Sequence, residues 1–129
     1  MKTITHKTYI AQVTFGLFKG YSNKLISLKE FKESLFFAQQ KIKLENDIAL
    51  SVKLRHCEIL CLGQEEPSIE LEFIQYPKFP QEESALKNAI VELTKMMMLE
   101  LEQNRVVIVF SDETIMLEQS DAIDPKIKL

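Results

Sequence analysis

Three side chains of the metal-binding type lie close together in the middle of the chain: His56, Cys57 and Cys61. On a helix the two cysteines would share one face, but the surrounding residues are typical of a β-strand. At about 3.3 Å per residue their Cα atoms would then be roughly 13 Å apart. That is too far for both to bind one zinc ion through bonds of about 2.3 Å. We therefore predict no metal site and interpret both cysteines as small buried apolar residues.

Carboxylates are the other groups that could do chemistry. Glu70 and Glu72 alternate along a predicted strand and share its outer face, where such a pair could flank a substrate. Asp112 and Glu113 lie between two apolar runs, in the segment Ser111–Thr114, where Asp and Ser favour a turn. Neither His nor Lys lies close in sequence to form a relay with them. The sequence predicts no catalytic residue, and Ser111–Thr114 is interpreted as the bend between two strands.

Glycine-rich phosphate-binding loops are missing from the sequence. The chain has three glycines and contains none of the motifs G-x-G-x-x-G, G-x-x-x-x-G-K or G-x-S-x-G. We therefore predict no cofactor.

The apolar pattern predicts two helices. The first begins with a capping box, in which Ser27 is the N-cap and Glu30 follows three residues later. Its apolar face consists of Leu28, Phe31, Leu35, Ala38 and Ile42. Pro80 suits the first turn of the second helix. The apolar stripe of that helix consists of Leu86, Ile90, Leu93, Met97 and Leu101.

Alternating and β-branched runs predict five strands, at residues 8–18, 48–62, 68–76, 105–110 and 114–118. The second and third are joined by the loop GQEEP. If the two strands pair so that the residue numbers of each cross-strand pair add up to 130, Cys57 faces Phe73, Ile59 faces Leu71 and Cys61 faces Ile69. All six are apolar, so this register assigns them to the core. It leaves Glu58, Leu60, Leu62, Glu70, Glu72 and Ile74 on the opposite face, which is mixed in polarity.

The order of these elements predicts the fold class. Strand, helix, strand, strand, helix, strand and a further strand indicate an α+β ferredoxin-like split βαβ plait (βαββαβ) with an added C-terminal strand. We expect an antiparallel sheet of order 4-1-3-2, with the fifth strand beside the fourth and both helices on one face. The whole chain, 1–129, is expected to be a single domain with its core at about 8–118 and a frayed tail at 119–129.

This layout resembles the small ferredoxin-like domains of the PII-like and CutA-like type, across about residues 8–118. It is also similar to a plait family with Phe15-Gly16-Leu17 on the first strand and Gln103 just before the fourth. The resemblance implies assembly through the sheets and binding of small ligands or partners. The chain has no PII-type ligand loop and no CutA signature. The resemblance therefore implies no particular functional residues.

Composition and charge exclude several classes of protein. With 46% hydrophobic and 27% charged residues, the chain is typical of a globular protein and not of a disordered one. No apolar run is long enough to span a bilayer, and no signal peptide is evident, so we expect a cytoplasmic protein with no membrane partner. The predicted open face of the sheet carries three negative charges, at Glu58, Glu70 and Glu72, which would repel the phosphates of a nucleic acid. No nucleic-acid partner is therefore expected.

The absence of catalytic motifs favours a non-enzymatic small-ligand or protein-binding regulatory module that acts as a homo-oligomer, a dimer or trimer. The expected interface is an apolar set away from the helices: Leu60, Leu62, Ile74, Val107, Val109 and Met116. One alternative is a toxin-neutralising or other protein-partner inhibitor. Residues 56–129 carry six Lys/Arg and fifteen Asp/Glu, a net −9 that would suit a basic target. Another is a small plait-type enzyme using Glu70 or Glu72 in an inter-subunit cleft.

Overall fold

The computed structural model describes residues 1–127. Within them, five antiparallel strands and two helices form an α+β fold, which confirms the predicted class at that level. The elements are β1 (Ile10–Gly16), α1 (Leu28–Asn46), β2 (Lys53–Cys61), β3 (Gln64–Ile74), α2 (Glu83–Glu100), β4 (Arg105–Phe110) and β5 (Thr114–Glu118). The strand order is β2-β3-β1-β4-β5, so the predicted order and the place of the fifth strand are confirmed.

The core lies between the two helices and one face of the sheet. Every second residue of the central strands is buried there, as the two-residue period of a strand requires: Ala11, Val13, Phe15, Ile69, Leu71, Phe73, Val106, Ile108 and Phe110. The predicted stripe of α2 is buried in full, and that of α1 is buried except for Leu28. Ser27 caps α1 as predicted, since its side chain accepts a hydrogen bond from Glu30 N. Pro80, by contrast, precedes α2, which begins at Glu83.

The predicted register of the β2–β3 hairpin is wrong. The strands join through a two-residue turn, Leu62-Gly63, with φ of 49° and 86°. Positive φ at both central residues is the requirement of a type I′ hairpin turn. Residues 64–67 of the segment expected to be a loop therefore belong to β3, and Cys57 pairs with Ser68 instead of Phe73. The residue numbers of each pair add up to 125 instead of 130, so the register is shifted by five residues. A shift by an odd number of residues turns the side chains of β2 to the other face of the sheet.

The outer part of this hairpin extends beyond the rest of the sheet. β1 ends at Gly16, which pairs with Ser68, so residues 58–67 have only each other as strand partners. Leu17 N still donates to Pro67 O at 2.9 Å, which ties the base of the projecting hairpin to the end of β1.

Candidate functional site

The two cysteines do not lie in the core. Cys57 is half-buried and Cys61 exposed, and both belong to the face of β2 that carries Arg55 and points away from the helices. Burial and the neighbouring Glu70 carboxylate raise the pKa of the Cys57 thiol. Within residues 1–127, no group of three His, Cys, Asp or Glu side chains is placed to hold a metal ion.

Glu70 and Glu72 share the open face of the sheet, as predicted, but both are held in ion pairs. Arg55 contacts both carboxylates, and Lys53 lies 3.2 Å from Glu72. Hydrogen bonds from Gln12 and Lys53 hold the pKa of Glu72 below its usual range. A general base needs a pKa near the working pH, and these contacts move Glu72 the other way. This pair is therefore a poor candidate for acid–base chemistry.

The segment Ser111–Thr114 is the turn between β4 and β5. It makes contacts that the sequence did not indicate. Tyr9 OH donates to Asp112 at 3.2 Å, and Lys87 Nζ lies 3.4 Å from Asp112 and 3.1 Å from Glu113. Ile10 N donates to Ser111 Oγ at 2.8 Å. These contacts tie the turn to the start of β1 and to α2, which gives it a structural role.

The hydrogen bond from Tyr9 to Asp112 is expected to make the stability of the fold decrease with pH in the alkaline range. Burial, and then the hydrogen bond to Asp112, raise the pKa of Tyr9 to about 12, above an ordinary value of 10.0. A raised pKa contributes stability that is complete below pH 10 and is lost as pH rises through about 12. We expect the melting temperature of the wild type to fall more steeply from pH 10 to 12 than that of Tyr9→Phe. Parallel melting curves of the two proteins over that range would contradict this.

The six residues of the predicted interface are all exposed, but they do not share one face. Ile74, Val107, Val109 and Met116 lie on the open face of the sheet. Leu62 lies in the hairpin turn, and Leu60 faces the other way along β2. The register correction explains the difference, because Leu60 was assigned to the same face as Glu70 and Glu72.

A cavity of about 230 Å³ lies at one end of the sheet. β1 ends there at Gly16, while the antiparallel neighbours β3 and β4 begin there. The fold therefore brings three segments together at this end of the sheet. They are the residues that follow β1, those at the start of β3 and those between α2 and β4. Polar or charged residues line the cavity beside the rings of Phe18 and Tyr21. They are Ser22, Gln64, Glu65, Glu66, Gln103, Asn104, Arg105, Asp124 and Lys126.

Glu66 has the most unusual environment of these groups. Burial raises the pKa of its carboxyl, and the neighbouring Asp124 adds to this, while Lys126 opposes it. No hydrogen bond or ion pair from within residues 1–127 reaches the carboxylate. Its place depends on Gly16, because a Cβ added to Gly16 would overlap Glu66 Oε1 and lie 3.1 Å from Glu66 Cδ. The missing side chain of Gly16 is thus the space that the Glu66 carboxyl occupies.

Gln103 lies beside this carboxyl and is held in one orientation. It is 8% exposed, and its Nε2 donates to Phe18 O at 2.9 Å and to Leu101 O at 3.1 Å. The opposite amide orientation would place Oε1 against two carbonyl oxygens, so the hydrogen-bond pattern fixes the assignment. Oε1 then lies toward Gly16, 3.6 Å from the position of an added Cβ. No donor among the described residues reaches it.

Asp124, Lys126 and Ile127 form one wall of the cavity, although they belong to a segment that was expected to be frayed. Tyr21 OH donates to Ala122 O at 3.0 Å, and Asn104 Nδ2 donates to Tyr21 OH at 2.8 Å. Lys126 Nζ donates to Ser22 O at 3.2 Å and lies 5.0 Å from the centre of the Phe18 ring. These contacts bring Asp124 and Lys126 close enough to act on the Glu66 carboxyl.

Four cavities are larger than this one, and the two that contain buried or paired polar groups show why they are weaker candidates. One of about 1040 Å³ is a groove along α1, lined by exposed Phe36, Phe37 and Leu44. Its carboxylate, Asp47, pairs with Lys43, which lowers the pKa of Asp47. Another, of about 500 Å³, contains Gln75 and Gln81, which bond to each other. We place the candidate site at Glu66, because its carboxyl has a raised pKa and lies beside a fixed acceptor.

Sequence reasoning did not identify Glu66, although part of the signal was present. Gly16 and Gln103 were noted as features of a similar family, and both prove to contact the Glu66 region. The Gly-to-Pro pattern of the GQEEP segment predicts a loop at Glu66, whereas the structure places Glu66 on β3. A correct assignment of Leu62-Gly63 as the turn would have placed Glu66 on β3, near Gly16.

Comparison with solved structures identifies proteins with a similar fold. The sequence matches no protein-family model and no curated protein. A solved structure of a phage SAM lyase in complex with S-methyl-5′-thioadenosine is similar, with a TM-score of 0.67 and 13% identity over 95% of this chain and 98% of that one. A phage SAM lyase in the apo state gives a TM-score of 0.63 and 12% identity over 89% and 92% of the two chains. At these identities the likeness shows a shared fold.

The expectation of a non-enzymatic binding or regulatory module is contradicted by this comparison. Both solved structures are those of an enzyme, and the match covers almost the whole of each chain. The earlier inference depended on finding no catalytic motif in the sequence, whereas the Glu66 cavity is assembled from segments far apart in the chain. Separately, no helix within residues 1–127 is long and apolar enough to cross a membrane.

Proposed function

We propose that this protein is an enzyme that cleaves the bond between the sulfonium sulfur and the γ carbon of S-adenosyl-L-methionine, at the Glu66 cavity. The observation that carries the proposal is the Glu66 carboxyl, partly buried with a raised pKa, in a cavity lined by aromatic rings. The fold shared with a phage SAM lyase supports it. The cavity is smaller than the roughly 300 Å³ of typical ligand pockets, so part of the substrate would extend outside it.

The reaction balances without a cofactor. When the bond between sulfur and the γ carbon breaks, its electron pair stays on sulfur, and S-methyl-5′-thioadenosine leaves as a neutral thioether. The γ carbon receives a new pair from one of two sources within the substrate. Attack by the substrate carboxylate closes homoserine lactone. Alternatively, a C–H bond at the β carbon supplies the pair, Glu66 takes the proton, and 2-aminobut-3-enoate forms.

A site of low polarity favours both routes. Each joins a positive sulfonium with a negative carboxylate and ends with neutral groups, so charge disappears in the transition state. Water stabilises the separated charges, and a cavity that excludes water removes part of that stabilisation. Burial raises the pKa of the Glu66 carboxyl, because a negative charge is less stable in this cavity than in water. In the elimination route, the same shift makes Glu66 a better base near neutral pH.

The proposal is tested by incubating the purified protein with S-adenosyl-L-methionine and measuring S-methyl-5′-thioadenosine by liquid chromatography and mass spectrometry. A sample without protein corrects for spontaneous breakdown, which releases the same thioether. We expect formation well above that background and proportional to protein concentration. The second product identifies the electron source, as homoserine lactone or as 2-aminobut-3-enoate. Release at the background rate over a wide range of protein concentration would contradict the proposal.

We further propose that the fold is the ferredoxin-like plait with an added strand, and that the protein works in the cytoplasm as a homo-oligomer assembled through the open face of the sheet. The order of the elements supports the plait. Exposed Ile74, Val107, Val109 and Met116 on one face support assembly. Burying a single aliphatic side chain of this kind contributes roughly 1.5–3 kcal/mol, so a few of them could hold an interface.

Val109→Glu is expected to shift the protein toward monomer. Val109 is 43% exposed and outside the core, so the charge should leave the fold intact while opposing burial of this face. Leu44→Glu, on the outer side of α1, is the matched control and should leave the oligomer unchanged. Light scattering measures the mass, and circular dichroism checks the fold. A wild-type monomer, or an oligomer unaffected by Val109→Glu, would refute this interface.

A further inference from the structure

Two acceptor groups of the Glu66 cavity lie beside Gly16, and none of the described residues donates a hydrogen bond to either of them. Glu66 supplies carboxylate oxygens there. Gln103 supplies Oε1, because its Nε2 is already used by Phe18 O and Leu101 O. Gln103 cannot turn its donor into the cavity without breaking both bonds and leaving two carbonyls unpaired, which is costly for a side chain so buried.

We propose that Glu66 and Gln103 Oε1 form an acceptor pair that binds the sulfonium centre of the substrate and discriminates against the neutral thioether. This specificity role deepens the proposed function and rests on it. A sulfonium carries a full positive charge, which is attracted to both oxygens. A thioether sulfur carries lone pairs and no charge, so it gains nothing from the carboxylate and meets two acceptor atoms.

The charged groups near Glu66 act in both directions on a bound cation, because Lys126 opposes its attraction and Asp124 adds to it. Arg105 pairs with Glu118, and Lys126 is bonded to Ser22 O and contacts Asn23. The nearby Asp124 is half-buried like Glu66, and its carboxylate also attracts a bound cation. Asp124→Asn is therefore a useful second variant, because it removes a nearby charge without touching the acceptor pair.

The consequence for turnover is a change of affinity during the reaction. The bound substrate is a cation, and the departing S-methyl-5′-thioadenosine is neutral. The attraction to Glu66 is therefore lost at the moment the bond breaks. The acceptor pair favours binding of the substrate and release of the product, and it limits inhibition by accumulated product.

The test uses two ligands that differ by one methyl group and one charge: S-methyl-5′-thioadenosine and its S-methylated sulfonium, 5′-dimethylsulfonio-5′-deoxyadenosine. The sulfonium lacks the amino-acid chain, so the proposed cleavage cannot occur on it. Isothermal titration calorimetry gives the affinity of each for wild type, Glu66→Gln and Asp124→Asn. We expect wild type to prefer the cation by about tenfold or more, corresponding to one charge-assisted contact. Glu66→Gln should reduce the ratio to near one, and Asp124→Asn should change it less.

The outcomes separate this inference from the proposed reaction. A cation preference that depends on Glu66 supports the acceptor pair, whether or not S-adenosyl-L-methionine is cleaved. Equal affinity of wild type for both ligands overturns it, even if cleavage is observed. A preference that Glu66→Gln leaves intact also overturns it. Failure of both ligands to bind overturns the acceptor pair, and the product assay then decides independently on the reaction. Thermal melting of each variant confirms that a lost preference does not reflect unfolding.

Discussion

Glu66→Gln is expected to lower kcat/KM for S-adenosyl-L-methionine by roughly 10²-fold or more. The substitution keeps the shape of the side chain but removes the negative charge and the ability to accept a proton. The described residues make no hydrogen bond or ion pair to this carboxylate, and burial already raises its pKa. Its loss should therefore not destabilise the fold, and melting temperatures of variant and wild type should agree closely.

The split between kcat and KM shows what Glu66 does. If it takes the proton in an elimination, most of the loss appears in kcat; if it holds the sulfonium, most appears in KM. Glu58→Gln is the matched control, since Glu58 is exposed on the neighbouring strand and does not line the cavity. Equal loss in both variants, or full activity in Glu66→Gln, would rule out the assigned role.

Gly16→Ala should abolish most of the activity while leaving the protein folded. The added Cβ overlaps Glu66 Oε1, the mobile end of a side chain, so the carboxyl can swing away at little cost. Gly16 has no positive φ, so alanine imposes no backbone strain, and we expect the free energy of unfolding to change by less than about 1 kcal/mol. Because a displacement of about 1 Å can cost 10²-fold in rate, a loss of that order is expected.

A double-mutant cycle attributes the effect of Gly16→Ala to the carboxyl. If the methyl group acts by moving Glu66, adding Gly16→Ala to Glu66→Gln should cause much less further loss than it causes in the wild type. Full additivity of the two losses would mean that Gly16 acts on something else. A large drop in melting temperature for Gly16→Ala alone would show that the space beside Gly16 is needed for folding.

The sequence was sufficient to predict the order of the elements and most of the core. Strong periodic patterns account for this: the buried stripe of α2 and the Ser27 cap of α1 follow directly from residue spacing. The hairpin register was not predictable in the same way. Leu62 at positive φ is uncommon, and a Gln-Glu-Glu-Pro run after a glycine is typical of a loop, so the two-residue turn was missed.

The candidate site was missed for a related reason. Gly16, Glu66 and Gln103 are far apart in sequence, and they meet because the end of β1 lies beside the starts of β3 and β4. The carboxylates that stand out in the sequence, Glu70 and Glu72, are instead held in ion pairs with Arg55 and Lys53. Acceptor orientation, such as that of Gln103, depends on backbone carbonyls that no residue pattern reveals.

The most direct test of the account is where an adenosyl ligand binds. Titration of isotope-labelled protein with S-methyl-5′-thioadenosine, followed by nuclear magnetic resonance, reports on each backbone amide and on the side-chain amide of Gln103. We predict saturable shifts concentrated at Gly16, Glu66 and the Gln103 side chain. Shifts confined to the α1 groove at Phe36 and Phe37, or to the open face of the sheet, would contradict the assignment of the site.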